Sequence, residues 1–263
     1  MPLANISPKA VGELYNFRLS NQNYTYIGTN QLGKSKQFLK DFPPNTDADL
    51  SWYQFSILFE AITRKDAVEI AKRKKEFIAT PNVFFISAVA FIQFSNSLSD
   101  ELEATIKKEL IARYQQEKGA AKARIERSFS NYIAWLMQQP DKIQLENLDQ
   151  LPKAVHIYQL LYAGLTYIDA GQPQQLSYII KELERLTAIE QQAIARFDGG
   201  VAYYALGILH TQLGQYEPAL RALQQAKKYG APTHFKYDKL LAPLADMPEF
   251  KELVKPIWPA VKG

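Results

Sequence analysis

Apolar residues recur at helical spacing along most of the chain beyond residue 50. After Asp49, the side chains of Trp52, Phe55, Phe59 and Ile62 fall on one helical face, which predicts a helix with Asp49 as its N-cap. Thr63 and Asp66 read as a capping box that opens a second helix through about Ala79, so 50–79 is expected to be a helical hairpin. Thr80-Pro81 is a further start signal, an N-cap followed by proline at the first helical position, where the missing N–H is no loss. Ser99 starts another helix, and Asp100, Glu101 and Glu103 suit its N-terminal dipole. Gly119 separates the helix over 100–117 from the next, in which Ile125, Phe129, Ile133 and Leu136 share a face before Pro140 ends it. Starts this close together leave little chain for a sheet. The expected fold is all-α, built of antiparallel helical hairpins, with an irregular or short mixed segment at 1–48.

Two stretches depart from the amphipathic pattern. Residues 83–92 (VFFISAVAFI) are apolar throughout, yet far short of the ~20 residues a membrane helix needs, so no membrane span is expected. The stretch reads as a buried core helix, with a buried strand as the alternative. Residues 141–151 are polar and broken, with Pro140 and Pro152 at their edges, which fits either a boundary between two parts or a long inter-helix loop. The chain is thus expected to comprise 1–48, helical hairpins at 49–140, and a further helical part at 152–263.

That last part repeats itself. Gly164/Gly171 and Gly207/Gly214 sit in the same frame 43 residues apart, each pair combining a small residue inside an apolar helix with a Gly-Gln turn. In the second copy Tyr203, Leu206, Gly207, Gly214, Tyr216, Ala219, Leu223 and Ala226 follow the tetratricopeptide pattern of aromatic, Leu-Gly, Tyr, Ala and Ala, so this copy resembles a tetratricopeptide repeat. Packing explains the residue types: Gly207 and Ala219 let antiparallel helices approach closely, and Gly214 turns the chain between them. The first copy keeps Leu160, Ala163, Gly164, Tyr167 and Gly171 but has Leu176 and Leu183 where the family has alanine.

The 43-residue step exceeds the family's spacing of about 34 by roughly two and a half helical turns. Thr187 and Glu190 read as a capping box, which would place the added residues in a first helix running from about Ala188 towards Leu213, kinked at Gly199-Gly200. Residues 237–254 are similar to the tail that closes such arrays, and would cover the apolar face of the last hairpin.

The resemblance implies a stacked α-solenoid and a non-catalytic protein–protein interaction module that binds a peptide or partner protein on the inner face of its hairpins. Carried over position by position, that face comprises Tyr158, Leu161, Leu165, Ile168 and Asp169 in the first copy and Tyr204, Ile208, Thr211 and Gln212 in the second. The alternative reading of the aliphatic positions is contact with a neighbouring hairpin. A face this apolar lacks the lysines and arginines of a clamp for a carboxylate-ended peptide, so a hydrophobic segment or another subunit's helix is the expected ligand. Self-association through 83–94 or the last hairpin is the remaining partner class.

Composition changes little in this picture. The chain has 263 residues, 47% hydrophobic and 22% charged, which suits a folded chain, and its 31 basic and 27 acidic residues give only +4. With no cysteine, disulfides, thiolate metal sites and a Cys nucleophile are excluded, while a cytoplasm and a periplasm fit equally. The first residues carry no signal-peptide pattern, which makes the cytoplasm the default expectation and a processed exported chain the alternative. Two basic clusters, Arg64, Lys65, Lys72, Arg73, Lys74 and Lys75, then Lys118, Lys122, Arg124 and Arg127, suggest a nucleic-acid-binding alternative. Their alternation with Glu69, Glu76, Glu117 and Glu126 reads instead as solvated helix faces.

One motif points to another class. Gly28 to Ser35 satisfies the Walker A pattern G-x-x-x-x-G-K-S/T, in which Gly28 and Gly33 shape a phosphate-cradling loop, Lys34 neutralises the phosphates and Ser35 holds magnesium. Pro43-Pro44 cuts the following helix to about two turns, and no strand ending in a magnesium-binding aspartate follows, so a surface loop is the competing reading. His156, His210 and His234 have no metal-binding spacing, and His210 occupies a position normally filled by a core aromatic. No nucleophile elbow occurs, and no catalytic residue, metal or cofactor is expected.

Overall fold

The computed structural model describes residues 47–93, 95–192, 200–229 and 238–255, together with Gln37. Among these residues the fold is all-helical. Its α-helices are α1 (Asp47–Thr63), α2 (Ala67–Ile78), α3 (Val83–Gln93), α4 (Asp100–Gln116), α5 (Gly119–Met137), α6 (Lys153–Asp169), α7 (Leu176–Gln192), α8 (Val201–Gln212), α9 (Tyr216–Lys228) and α10 (Pro248–Leu253). No helix among the described residues is long and apolar enough to cross a membrane. The chain forms two compact units that divide within α3, the first ending at Ile86 and the second beginning at Ser87.

In the first unit α1 and α2 form a hairpin around Phe55, whose ring centroid lies 6.0 Å from that of Phe59 and 5.7 Å from that of Phe77. The helix limits differ from the expected ones. Helix α1 is already formed at Asp47, so Asp49 lies in its first turn and does not cap it. Thr63 does not cap α2, because its hydroxyl bonds back to the Phe59 carbonyl at 3.0 Å. Asp66 takes that role, its carboxylate accepting from the Glu69 amide at 3.1 Å. Thr80 likewise donates to the Phe77 carbonyl at 2.8 Å, and α3 starts three residues later at Val83. In each case the hydroxyl returns to the turn behind it, which competes with capping the turn ahead.

The second unit contains helical hairpins in contact with one another. Ser99 caps α4 as expected, accepting from the Leu102 amide at 3.2 Å. Helix α5 packs along α6; α6 and α7 form one hairpin, α8 and α9 the next, and α8 contacts both α6 and α7. Helix α5 is interrupted at Phe129 (φ −138°, ψ 20°), and its broken ladder is mended from α6, where Gln159 Oε1 accepts from the amides of Asn131 at 2.9 Å and Tyr132 at 3.4 Å. The polar stretch 141–151 lies within this unit, tied down by Asn131, which accepts from the Gln144 amide at 2.7 Å and donates to its carbonyl at 2.8 Å.

The two glycine turns close alike. Gln172 N–H donates to the Tyr167 carbonyl and Gly171 N–H to that of Ile168, while Gln215 and Gly214 make the same pair of bonds to His210 and Thr211. Gly171 and Gly214 are left-handed, at φ +68° and +71°, which any side chain would strain. Gly164 and Gly207 serve close approach: a Cβ on Gly164 would stand 2.7 Å from Leu209 Cδ2, and one on Gly207 would stand 2.6 Å from Leu223 Cδ2.

The added length of the 43-residue step is not where the sequence places it. Thr187 does not open a new helix; its hydroxyl donates to the Glu184 carbonyl at 2.7 Å, and α7 continues to Gln192. Helix α8 starts only at Val201, after Gly200 in the left-handed region at φ +86°. Residues 188–192 therefore belong to the second helix of the first hairpin, and 193–199 lie outside the described residues.

Candidate functional site

Helices α6 and α8 carry the positions read as an inner binding face, and the structure turns most of them into the molecule. Tyr158, Leu161, Leu165, Tyr204, Ile208 and Thr211 are all buried, whereas Ile168 and Gln212 are partly exposed and Asp169 is exposed. Leucine and isoleucine at these positions pack into the core, and Thr211 bonds the Gly207 carbonyl within its own helix. Among the described residues these buried positions therefore line no open groove.

What fills it is the chain itself. Gln93, at the end of α3, donates to the Tyr158 hydroxyl at 3.1 Å, and the Tyr162 hydroxyl donates to the Ala88 carbonyl at 2.5 Å. The Tyr132 hydroxyl meets Ser87 Oγ at 2.9 Å. Around these bonds Tyr132, Trp135 and Tyr162 form an aromatic cluster, with Tyr162 ring centroids 4.7 Å from Tyr132 and 4.9 Å from Trp135. Lys107 Nζ lies 4.1 Å from the centroid of the Trp135 ring, a cation–π contact. Burial raises the phenol pKa values of Tyr132, Tyr158 and Tyr162, so these hydroxyls stay protonated and act as hydrogen-bonding tips of apolar side chains.

On α8 the occupant is a 3-10 helix at Lys239–Leu244, with Asp238 as its N-cap. The Tyr204 hydroxyl donates to Asp238 Oδ2 at 2.7 Å, and Gln212 Nε2 donates to the Leu240 carbonyl at 2.5 Å. Asp238 also accepts from the Leu240 amide at 2.8 Å, and Leu241 and Leu244 are buried. Burial pushes the Asp238 carboxyl up to about 7, against the lowering effect of its bonds to Tyr204 and Leu240. The next residue ties the segment to α4: Lys239 N–H donates to Ser95 Oγ at 2.9 Å, and its ammonium contacts Asp100 at 2.9 Å and Glu103 at 3.1 Å. Helix α10 continues onto α9, where Lys227 Nζ donates to the Leu253 carbonyl at 2.6 Å. Residues 238–254 thus pack on the last hairpin.

Comparison with protein-family models, with curated proteins and with solved structures finds no match.

Among the described residues, two open clefts lie beside helices of the second unit. The larger, about 580 Å³, lies between the 145–149 connection and the side chains of His156, Tyr178 and Glu182. Its Glu182 is held by Arg185 through two bonds of 2.8 and 2.6 Å, which lower the carboxyl pKa, and His156 Nε2 lies 3.6 Å away. Burial holds the His156 imidazole below its ordinary pKa despite this carboxylate. The smaller, about 400 Å³, includes Tyr114 and Glu126, which share a 2.9 Å hydrogen bond.

The other sequence candidates fare differently. His210 is not a buried packing residue; it is partly exposed, with Nδ1 2.7 Å from Gln215 Oε1. In the basic clusters Arg73 is bound by Glu69 at 2.9 Å and Glu76 at 2.7 Å, and Lys122 lies 5.1 Å from the centroid of the Tyr114 ring. Gly28, Gly33, Lys34 and Ser35 lie outside the described residues, as does His234. Sequence reasoning missed Gln93, Asp238 and Lys239 as site residues. Asp238 had a legible signal, because an aspartate before a Leu-Leu-x-x-Leu turn is a natural N-cap.

Proposed function

We propose that the chain is a non-catalytic protein–protein interaction module, in which α6–α7 and α8–α9 form a tetratricopeptide-like pair whose inner face takes a peptide or a segment of a partner protein. One observation supports this most: Tyr204 and Gln212 hold a carboxylate and a main-chain carbonyl from a separate segment of the chain. Polar side chains that hold a segment's main chain, with its leucines buried beside them as anchors, are contacts that a peptide-binding face uses. The close approach at Gly164 and Gly207 and the matching Gly-Gln closures are the features that the family resemblance leads one to expect.

The experiment is a selection of peptides from a displayed library against the purified full chain. Selected peptides should lose about tenfold or more in affinity on Gln212→Ala. A set of peptides indifferent to Gln212→Ala and to Tyr158→Phe, together with thermal stabilisation by Mg-ATP that Lys34→Ala abolishes, would replace this reading with the nucleotide-binding one.

A further inference from the structure

Residues 238–244 occupy the face of α8 that the proposed function gives to a partner, and they occupy it as a bound peptide would. Each class of contact is present. A carboxylate is held by Tyr204, a main-chain carbonyl by Gln212, a main-chain amide by Ser95, and two leucines are inserted and buried. The 3-10 geometry brings residues three apart onto one edge, which places Leu241 and Leu244 side by side with Asp238 three positions earlier.

The outer edge of the same segment is held differently. Lys239 is paired with Asp100, which is fully exposed, and with Glu103. Pairs of this kind are screened by solvent and salt and contribute little net stability. The segment therefore combines a specific apolar anchor with a weak electrostatic clasp.

We infer that residues 238–244 are the chain's own ligand for this face, and that the external partner is a peptide of the same chemistry which displaces them: an acidic residue with leucines three and six positions later. The inference rests on reading the α8 face as the docking face. Occupation by the tail then makes the free protein a weak binder, because a competing peptide's apparent affinity falls by the fraction of molecules in which the tail is seated. Loosening the clasp raises affinity without touching the face.

The test uses the full chain and a fluorescent peptide with the sequence of residues 237–245 (YDKLLAPLA), followed by anisotropy. Two variants release the tail by different means: Lys239→Glu reverses the clasp, and Leu241→Asp with Leu244→Asp removes the anchor. The double aspartate variant should bind the peptide at least tenfold more tightly than the wild-type chain and Lys239→Glu by a smaller, salt-sensitive factor of about two to five, and a peptide carrying aspartate at both leucine positions should bind neither. Hydrogen exchange should show the amides of 240 and 241 less protected in both variants. If both variants keep the wild-type helical circular dichroism and bind no better than the wild type, the inference is wrong. Library peptides that depend on Gln212 but bind wild type and both variants equally would also overturn it, while leaving the interaction reading standing.

Discussion

At Gly207 a side chain would have to stand where Leu223 already is. The nearest atoms to an added Cβ are Leu223 Cδ2 at 2.6 Å and its branch point Cγ at 2.7 Å, with the Ala219 carbonyl behind them at 3.5 Å. At Gly164 the obstruction is the two methyl tips of Leu209, at 2.7 and 3.0 Å, and tips can swing. Alanine in a helix interior gains about 1 kcal/mol over glycine, while overpacking a core costs about 1–3 kcal/mol. Gly207→Ala should therefore destabilise the chain by about 1 kcal/mol or more, Gly164→Ala should be close to neutral, and Leu223→Val should partly rescue the former. Urea denaturation of the four proteins checks the order; equal effects at the two glycines would show that the approach at Gly207 is not tight. Both glycines were legible from their shared frame, but not the difference between them, which depends on whether the facing leucine presents its tips or its branch point.

Asp238 sets a second prediction at this scale. Its carboxyl titrates near 7 in the folded chain against an ordinary 3.8, so folding favours the protonated acid. The sign follows from linkage: the contribution is fully present below the unfolded value and is lost as pH rises through about 7. Asparagine imitates the protonated form, able to donate towards Tyr204 and accept from the Leu240 amide. Asp238→Asn should flatten the fall in stability between about pH 4 and 7 that the wild type shows, read as thermal midpoints across that range. An unchanged profile would mean that the carboxyl is not buried in solution. Burial of this kind is invisible in the sequence, since it depends on α8 and residues 238–244 meeting across 34 residues.

Among the elements, α5 and α7 diverge most from what local pattern suggests. Ile125, Phe129, Ile133 and Leu136 read as one unbroken face, yet Phe129 leaves the helical region, and Gln159 from α6 satisfies the amides of the broken turn. An acceptor supplied from another helix is tertiary information, which no spacing in α5 can carry. Gln159→Leu leaves these buried amides unsatisfied, at about 1–3 kcal/mol for each. Chemical denaturation should show a loss in that range, with faster hydrogen exchange at Asn131 and Tyr132; a neutral substitution would contradict the bridging role. Capping signals were legible where the side chain had no better partner, as at Ser99, and misleading where a threonine could bond the turn behind it, as at Thr63, Thr80 and Thr187.

For the second unit as a whole, the helix positions named from the family pattern were placed on the intended helices, but what covers them could not be read locally. Tyr158 meets Gln93 across 65 residues, and Lys239 meets Asp100 across 139. The apolar character of 83–92 was legible as core, not as the element whose C-terminal half lies against the tyrosines of α5 and α6. The faces of α6 and α8 carrying these positions are lined with the chain's own segments.

The most direct measurement is a backbone and side-chain NMR footprint of a library-selected peptide on the full chain. Shifts should centre on Tyr204, Gln212 and residues 238–244, with the tail amides losing protection as peptide is added. Shifts confined to surfaces away from α6 and α8, with the tail still protected at saturation, would contradict it.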